Sequence, residues 1–235
     1  MYDETRYQVG TENRETSLAA CLTGVYWWMT FALVVSGLTA YMVGTSEELA
    51  KIFVKNPGVF LVLAIVEIVM VIGITAGINK LSAATATALF ILYAAINGLT
   101  LSVIFLAYTL GSIAVTFAVT AGTFGTMAVI GTVTKKDLTS FGNLMLMALL
   151  GLIIASIVNL FWTNEILYWI CTYAGVLIFV GLTAYDAQKI KKMYQEAGTA
   201  NAETNRKIAV LGALSLYLDF VNLLLYLLRI FGRRR

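Results

Sequence analysis

Seven continuously apolar runs, each near 20 residues long, constrain this chain more than any other feature. A run of that length forms a helix that crosses the ~30 Å hydrocarbon core of a bilayer. In lipid the backbone polar groups must pair internally, and uninterrupted apolar runs fit helices rather than the alternating strands of a β-barrel. We therefore predict an all-α polytopic membrane protein with seven transmembrane helices. They cover approximately residues 22–43, 59–79, 83–107, 112–133, 143–162, 166–186 and 208–230.

The composition excludes several classes of function. Hydrophobic residues make up 60% of the chain and charged residues 12%, against roughly 25% charged in an ordinary globular domain. The net charge of +3 does not suggest a nucleic-acid partner. The chain has no histidine, which removes Ser-His and Cys-His catalysis and the usual switch near neutral pH. We expect that the protein is not an enzyme and binds no cofactor. Any response to pH near neutrality must then come from carboxylates.

The polar residues at the start form a separate region. Residues 1–20 carry charges of both signs and lead into a full-length apolar run, which differs from a cleavable signal peptide. We predict a short soluble tail over residues 1–20 and a membrane domain over 21–235. With seven spans, ten Lys and Arg residues lie on the side of the N-terminus and six on the other side. The excess favours a cytoplasmic N-terminus and an outer C-terminus. If the last run does not span, the C-terminus is inside and the bias becomes fourteen to two.

Asp219 interrupts the last apolar run. Steps of three and four residues connect it to Gly212, Ser215, Asn222 and Tyr226, which form one polar stripe on an otherwise apolar helix. A central acidic residue costs about 2.5–3.5 kcal/mol on insertion scales. The stripe therefore faces inward, and other helices should surround this one. Asp219 is either a hydrogen-bonded packing residue or a functional group.

Other polar residues also interrupt the apolar runs. Asp186 ends the sixth run, either as an interfacial ion pair with Lys189 or as a functional acid. Glu67 has apolar helical neighbours, so a cross-helix partner is expected, and both a structural and a functional role remain open. In the third run Tyr93, Asn97 and Thr100 share one face, for which packing is the favoured interpretation. We interpret the charged loop 187–207 as a solvated face, with a polybasic lipid contact as the alternative. Its first part, "AQKIKKMYQEAG", could extend the sixth helix into the cytosol.

Three stretches together resemble the Bax inhibitor-1, or transmembrane Bax-inhibitor-motif, family, in its bacterial inner-membrane branch. They are "GTVTKKDLTSFGN", "GLTAYDAQKIKKMY" and "LGALSLYLDFVNLLLYLLRIFG". The resemblance covers nearly the whole chain after the N-terminal tail. It implies seven helices with the last one central and two groups of three around it. It also implies a multi-pass protein of the bacterial inner (plasma) membrane.

The resemblance further implies a pH-sensitive calcium leak. Carried onto this sequence, Asp186 and Asp219 are the pH-sensing pair and candidate calcium ligands, Glu67 belongs to the ion path, and Lys80 is the nearest counterpart of a basic gating residue. Ser215, Asn222, Tyr226 and Asn97 are the supporting polar residues. The implied partners are the lipid bilayer, calcium ions and protons.

The physical chemistry of such a pair is consistent with a switch. Two carboxylates a few Å apart do not readily both ionise, so they share a proton that holds their helices together. Loss of that proton creates repulsion and an oxygen site that suits calcium. If Arg206 and Lys207 mark the interface, however, Asp219 lies about 18 Å deep. Asp186 then meets it only if the seventh helix begins outside the membrane or the sixth is buried deeper.

Three alternatives compete with the leak. Some bacterial relatives are linked to membrane-protease control, so the chain is alternatively a regulatory protein that binds such a partner through residues 1–20. An intramembrane aspartyl protease would carry Gly-x-Gly-Asp, but Leu216, Tyr217 and Leu218 precede Asp219. A retinal-binding protein would need a Schiff-base lysine, which the seventh run lacks.

Overall fold

Long α-helices make up the fold. The computed structural model describes residues 2–46, 48, 56–197 and 202–234, with the side chains of residues 2–17 and 57 outside that description. Within this part of the chain the β structure is a single bridge between Tyr108 and Arg234. The helices are α1 (Tyr2–Thr45), α2 (Pro57–Gly77), α3 (Ala83–Ala107), α4 (Leu110–Val133), α5 (Thr139–Phe161), α6 (Glu165–Ala197) and α7 (Ala202–Phe231).

All seven helices contain a segment long and apolar enough to cross a membrane, which confirms the predicted class and number. The limits differ most for α6 and α7. Their apolar runs were predicted at 166–186 and 208–230, but α6 continues to Ala197 and α7 starts at Ala202. At 1.5 Å per residue α6 is about 50 Å long, more than the ~30 Å core. Hydropathy marks the apolar part of a helix, whereas the helical backbone of α6 and α7 continues beyond that part.

The last helix is central, as predicted. Its neighbours are α1, α3, α4 and α6, and it is the most buried of the spans. The outer helices form two groups of three, here called the first trio (α1–α3) and the second trio (α4–α6). In the first trio α2 packs on α3, and in the second α5 packs on α6. Both α2 and α5 expose large apolar side chains such as Leu61 and Leu150, as a lipid-facing helix should.

Two aromatic residues of α7 pack against the outer helices, one against each trio. The Tyr217 ring meets Phe90 and Tyr93 of α3 edge-on, with centroids 5.7 and 5.8 Å apart. Three residues later the Phe220 ring meets Phe117 and Phe124 of α4 at 5.3 and 5.4 Å. Edge-to-face pairs at such distances add stability beyond their buried area. The central helix is therefore packed against both trios at the same level.

Glycine permits the closest helix crossing within each trio. A Cβ added at Gly98 of α3 would lie 2.6 Å from the Ser36 carbonyl oxygen of α1. A Cβ added at Gly131 of α4 would collide with the backbone of Ala184 of α6. Without a hydrophobic driving force between helices in lipid, such close backbone contact is a main source of association.

Candidate functional site

The packing of α6 against α7 places two carboxylates at one level of the bundle. Gly212 lies against Ile190, and Gly175 lies against the Tyr226 ring, which defines the antiparallel register. In that register Asp186 and Asp219 differ by three residues, or about 4.5 Å along the axis. The two groups interact electrostatically. The structure thus resolves the expected depth mismatch, because both helices extend well beyond the pair.

The two aspartates have different surroundings. Asp219 is only 4% exposed, and its Oδ2 atom has no hydrogen-bond partner among the described residues. Asp186 is half-buried. An ion pair with Lys189 was one of two interpretations of Asp186, and the Lys189 ammonium lies over the Tyr185 ring, 5.9 Å from its centroid. Because buried polar atoms are almost always hydrogen-bonded, the unpaired Oδ2 marks this position as chemically unusual.

The rest of the α7 stripe packs toward the same side. Ser215 and Asn222 are half-buried, and the Asn222 amide donates to the Leu218 carbonyl at 2.8 Å. The Tyr226 ring stacks on Phe179 of α6 at 5.9 Å. Tyr226 therefore packs on α6, but among the described residues no hydrogen bond joins Ser215, Asn222 or Tyr226 to either aspartate.

Glu67 has its own set of partners, in the first trio. The Asn97 amide donates to its Oε2 at 3.1 Å, and the Thr100 hydroxyl donates to its Oε1. Both donors lie on the α3 face for which packing was the favoured interpretation. The carboxylate is therefore held by two hydrogen bonds across the α2–α3 interface, as the sequence-based expectation of a cross-helix partner required.

A buried chain of hydrogen bonds continues from Asn97 to the central helix. The Tyr217 hydroxyl donates to Asn97 Oδ1 at 2.8 Å and lies 2.6 Å from the Ser36 hydroxyl. Because the single Tyr217 hydroxyl proton goes to Asn97, the Tyr217 oxygen can only accept from Ser36. The Ser36 hydroxyl also has the Ala94 and Ala32 carbonyls as acceptors, at 2.7 and 3.0 Å. The chain Ser36–Tyr217–Asn97–Glu67 therefore joins α1, α7, α3 and α2, and its donors point toward the carboxylate.

Sequence reasoning missed Ser36 and Tyr217 as members of this chain. The available signal was weak, because a lone serine or tyrosine in an apolar run is compatible with any packed helix. Their burial is the informative observation: Ser36 is 1% exposed and Tyr217 is fully buried.

The part of α6 that follows Asp186 holds the loop between α4 and α5. Gln188 accepts from the Leu138 backbone N–H and donates to the Lys136 carbonyl, each at 2.8 Å. Lys191 donates to the Thr132 carbonyl near the end of α4 at 2.8 Å. This part of loop 187–207, predicted to be a solvated face, instead makes specific contacts.

An exposed ion pair completes the contact with this loop. Lys192 and Asp137 are 2.6 Å apart, and the hydrogen bond from Lys192 lowers the pKa of Asp137 well below its usual range. The basic stretch after Asp186 is thus explained in part by loop attachment.

Lys80 does not reach the other predicted site residues. It is exposed in the turn after α2, and Glu67 lies ten residues before the end of that helix at Gly77, about 15 Å along the axis. No arrangement of three or more acidic, cysteine or histidine side chains that could hold a metal occurs among the described residues. The two aspartates are therefore a sparse donor set for calcium, which takes six to eight oxygen ligands.

Comparison with known proteins identifies the chain's relatives. A family model described as "Inhibitor of apoptosis-promoting Bax1" matches residues 18–235. The inner membrane protein YbhL of Escherichia coli K12 is 48% identical over 218 residues, covering 93% of each chain. An uncharacterized protein of Borreliella burgdorferi is 44% identical over 91% of this chain and 92% of its own. The uncharacterized protein RP147 of Rickettsia prowazekii is 37% identical over the whole of both chains.

Proposed function

The chain belongs to the family of inhibitors of apoptosis-promoting Bax1, and from that premise we propose that it is a pH-regulated calcium-leak protein of the bacterial inner membrane. The inner-membrane assignment follows the name of its relative YbhL and the seven spanning helices. The observation that carries the proposal is the Asp186–Asp219 pair, held at one level between α6 and the central helix.

The pair works as a proton-dependent link between two helices. With one proton shared, the carboxylates attract each other and α6 stays against α7. With both ionised, they repel, and two oxygen-rich groups face a passing cation. Calcium is a hard cation that prefers carboxylate oxygen, and its two charges offset those of the pair. Two ligands suit brief contact during passage better than tight binding.

Glu67 supplies a second carboxylate in the first trio. It is half-buried and held by Asn97 and Thr100 of α3, whereas the aspartate pair lies between α6 and α7. We place it on the ion path. Lys80 is exposed in the turn after α2, and no side-chain contact to a described residue supports a gating role for it.

The test is calcium entry into proteoliposomes that contain the purified protein, followed with an internal dye from mildly acidic to neutral pH. Entry should exceed that into protein-free liposomes, and it should change with pH. Entry equal to that of empty liposomes at every pH would rule out the leak, and entry without pH dependence would rule out its regulation.

The alternative role is regulation of a membrane-protease or other protein partner through the N-terminus. The helical backbone of α1 continues from the apolar segment back to Tyr2, so this region is a helix that extends past the membrane segment. Deleting residues 2–17 separates the two roles. If the leak proposal is correct, calcium flux should survive the deletion. If neither the full-length protein nor the deletion variant conducts calcium, and the deletion abolishes crosslinking to a protein partner, the regulatory role is favoured.

A further inference from the structure

A crevice opens between α1 and α3 at the end of the bundle where α7 begins. Its volume is about 1100 Å³, and its walls carry mainly small side chains, among them Ala84 and Ala88 of α3. Trp28 of α1 and Leu92 of α3 line it and are 37% and 52% exposed. The crevice therefore opens sideways, toward the hydrocarbon of the membrane.

The crevice lies along the pair α1 and α3, away from their close contact. The two helices touch closely at Gly98, where an added Cβ would lie 2.6 Å from the Ser36 carbonyl oxygen. Nearer the start of α1, an added Cβ at Gly24, which lines the crevice, would meet nothing within 4 Å. A gap of this kind forfeits dispersion contacts on its walls. Within a membrane, the acyl chain of a surrounding lipid can fill this gap.

The charged side chain of the crevice and a buried amide oxygen lie at the end formed by α7. Thr87 of α3 also lines the crevice, but its hydroxyl donates to the Ala83 carbonyl at 2.8 Å. Arg206 is exposed and lines the crevice there. The neighbouring Asn205 lines it too, and its Oδ1 atom is buried without a hydrogen-bond partner among the described residues. Glu203, the nearest acid along α7, is engaged by the Ala83 N–H at the start of α3, 2.6 Å away. The end of the crevice thus offers a cation and an unfilled acceptor.

We propose that this crevice binds one anionic glycerophospholipid with a hydroxylated headgroup, the chemistry of phosphatidylglycerol. One acyl chain fills the space beside Gly24 and Ala88, the phosphate pairs with Arg206, and a headgroup hydroxyl donates to Asn205 Oδ1. The phosphate of any glycerophospholipid can pair with Arg206, but the hydroxyl supplies a donor for Asn205 that a choline group lacks. An ethanolamine group can also donate, but its ammonium adds a positive charge beside Arg206, so the net negative charge of phosphatidylglycerol favours it over both. The site is separate from the aspartate pair and does not depend on the leak.

Native mass spectrometry of the detergent-purified protein, titrated with phosphatidylglycerol, phosphatidylethanolamine or phosphatidylcholine, tests the headgroup. Phosphatidylglycerol should bind most tightly to the wild type. Arg206→Gln should weaken phosphatidylglycerol binding about tenfold, the value of a charge-assisted hydrogen bond of roughly 1.5 kcal/mol, and should reduce the preference for phosphatidylglycerol over phosphatidylcholine. Lys135→Gln, which removes an exposed charge from the loop after α4, is the matched control and should retain wild-type binding.

A second pair of variants tests the acyl site. Gly24→Leu should abolish the tight binding by filling the crevice, and the open space around Gly24 lets the protein fold. Gly151→Leu adds the same bulk to α5, where an added Cβ also meets nothing within 4 Å, and should bind like the wild type. Three results would each overturn the proposal. The two leucine variants could bind phosphatidylglycerol equally, Arg206→Gln could bind it as well as Lys135→Gln does, or the wild type could prefer phosphatidylethanolamine.

Discussion

Tyr217 and Asp219, two residues apart on the central helix, serve opposite halves of the bundle. The Tyr217 hydroxyl donates to Asn97 of α3, whereas Asp219 interacts electrostatically with Asp186 of α6. Two helical residues turn the side-chain direction by about 200°, so neighbouring positions on α7 face different trios. One turn of helix therefore carries both the Glu67 hydrogen-bond chain and the aspartate pair, and a rotation of α7 would disturb both together.

The aspartate pair should behave as one titrating unit. Asp186→Asn or Asp219→Asn leaves a neutral hydrogen-bonding group, so either change should abolish the pH dependence of calcium flux into proteoliposomes. The double variant should resemble the single ones, because groups that act together are non-additive. Glu165→Gln, an exposed acid at the start of α6, is the control. If both single variants keep the wild-type pH profile, the aspartates have only a structural role.

Tyr217→Phe should destabilise the protein through its hydroxyl alone. The ring can still pack between Phe90 and Tyr93, but Asn97 Oδ1 loses its donor and Ser36 loses an acceptor. An unsatisfied buried polar group costs about 1–3 kcal/mol, which should appear as lower thermal stability in detergent. Tyr173→Phe, at a side chain 54% exposed, is the matched control. Equal stability of the two variants would mean that the hydrogen-bond chain contributes nothing.

Gly131→Ala should disrupt the contact between α4 and α6. The added methyl group meets the backbone of Ala184, which cannot move aside as a flexible side chain does. Overpacking of this kind costs about 1–3 kcal/mol, again measurable as thermal stability in detergent. Gly125→Ala on the same helix meets nothing within 4 Å and should be neutral or slightly stabilising. A neutral result at Gly131 would show that the two helices lie farther apart.

The C-terminus should lie outside the cell and the α4–α5 loop inside. The Arg233 carbonyl accepts from the Thr109 N–H at 3.0 Å, which places the chain end beside the α3–α4 turn, opposite the start of α7. Arg229 is held over the Tyr226 ring at 4.9 Å, so part of the C-terminal positive charge is engaged by the protein. Reporter fusions after residue 235 and within residues 134–138 will show on which side of the membrane each segment lies. A cytoplasmic signal from both would contradict a spanning α7.

The number and type of helices followed from the sequence because hydropathy is a local property. A run of about 20 apolar residues must become a helix in lipid whatever surrounds it. The inward direction of Asp219 was predictable for the same reason, since a carboxylate cannot face hydrocarbon cheaply.

Tertiary structure alone decided which polar groups meet. Ser36 and Tyr217 are 181 positions apart, and no pattern within either run indicates the other. The position of Asp186 relative to Asp219 along the bundle axis was likewise undecided from the sequence. The lysines after Asp186 were taken to mark the membrane boundary, whereas α6 continues as a helix to Ala197. Periodicity shows which face of a helix is polar. The vertical register between two helices depends instead on where glycines such as Gly212 let a neighbour such as Ile190 approach, which is a property of the packed bundle.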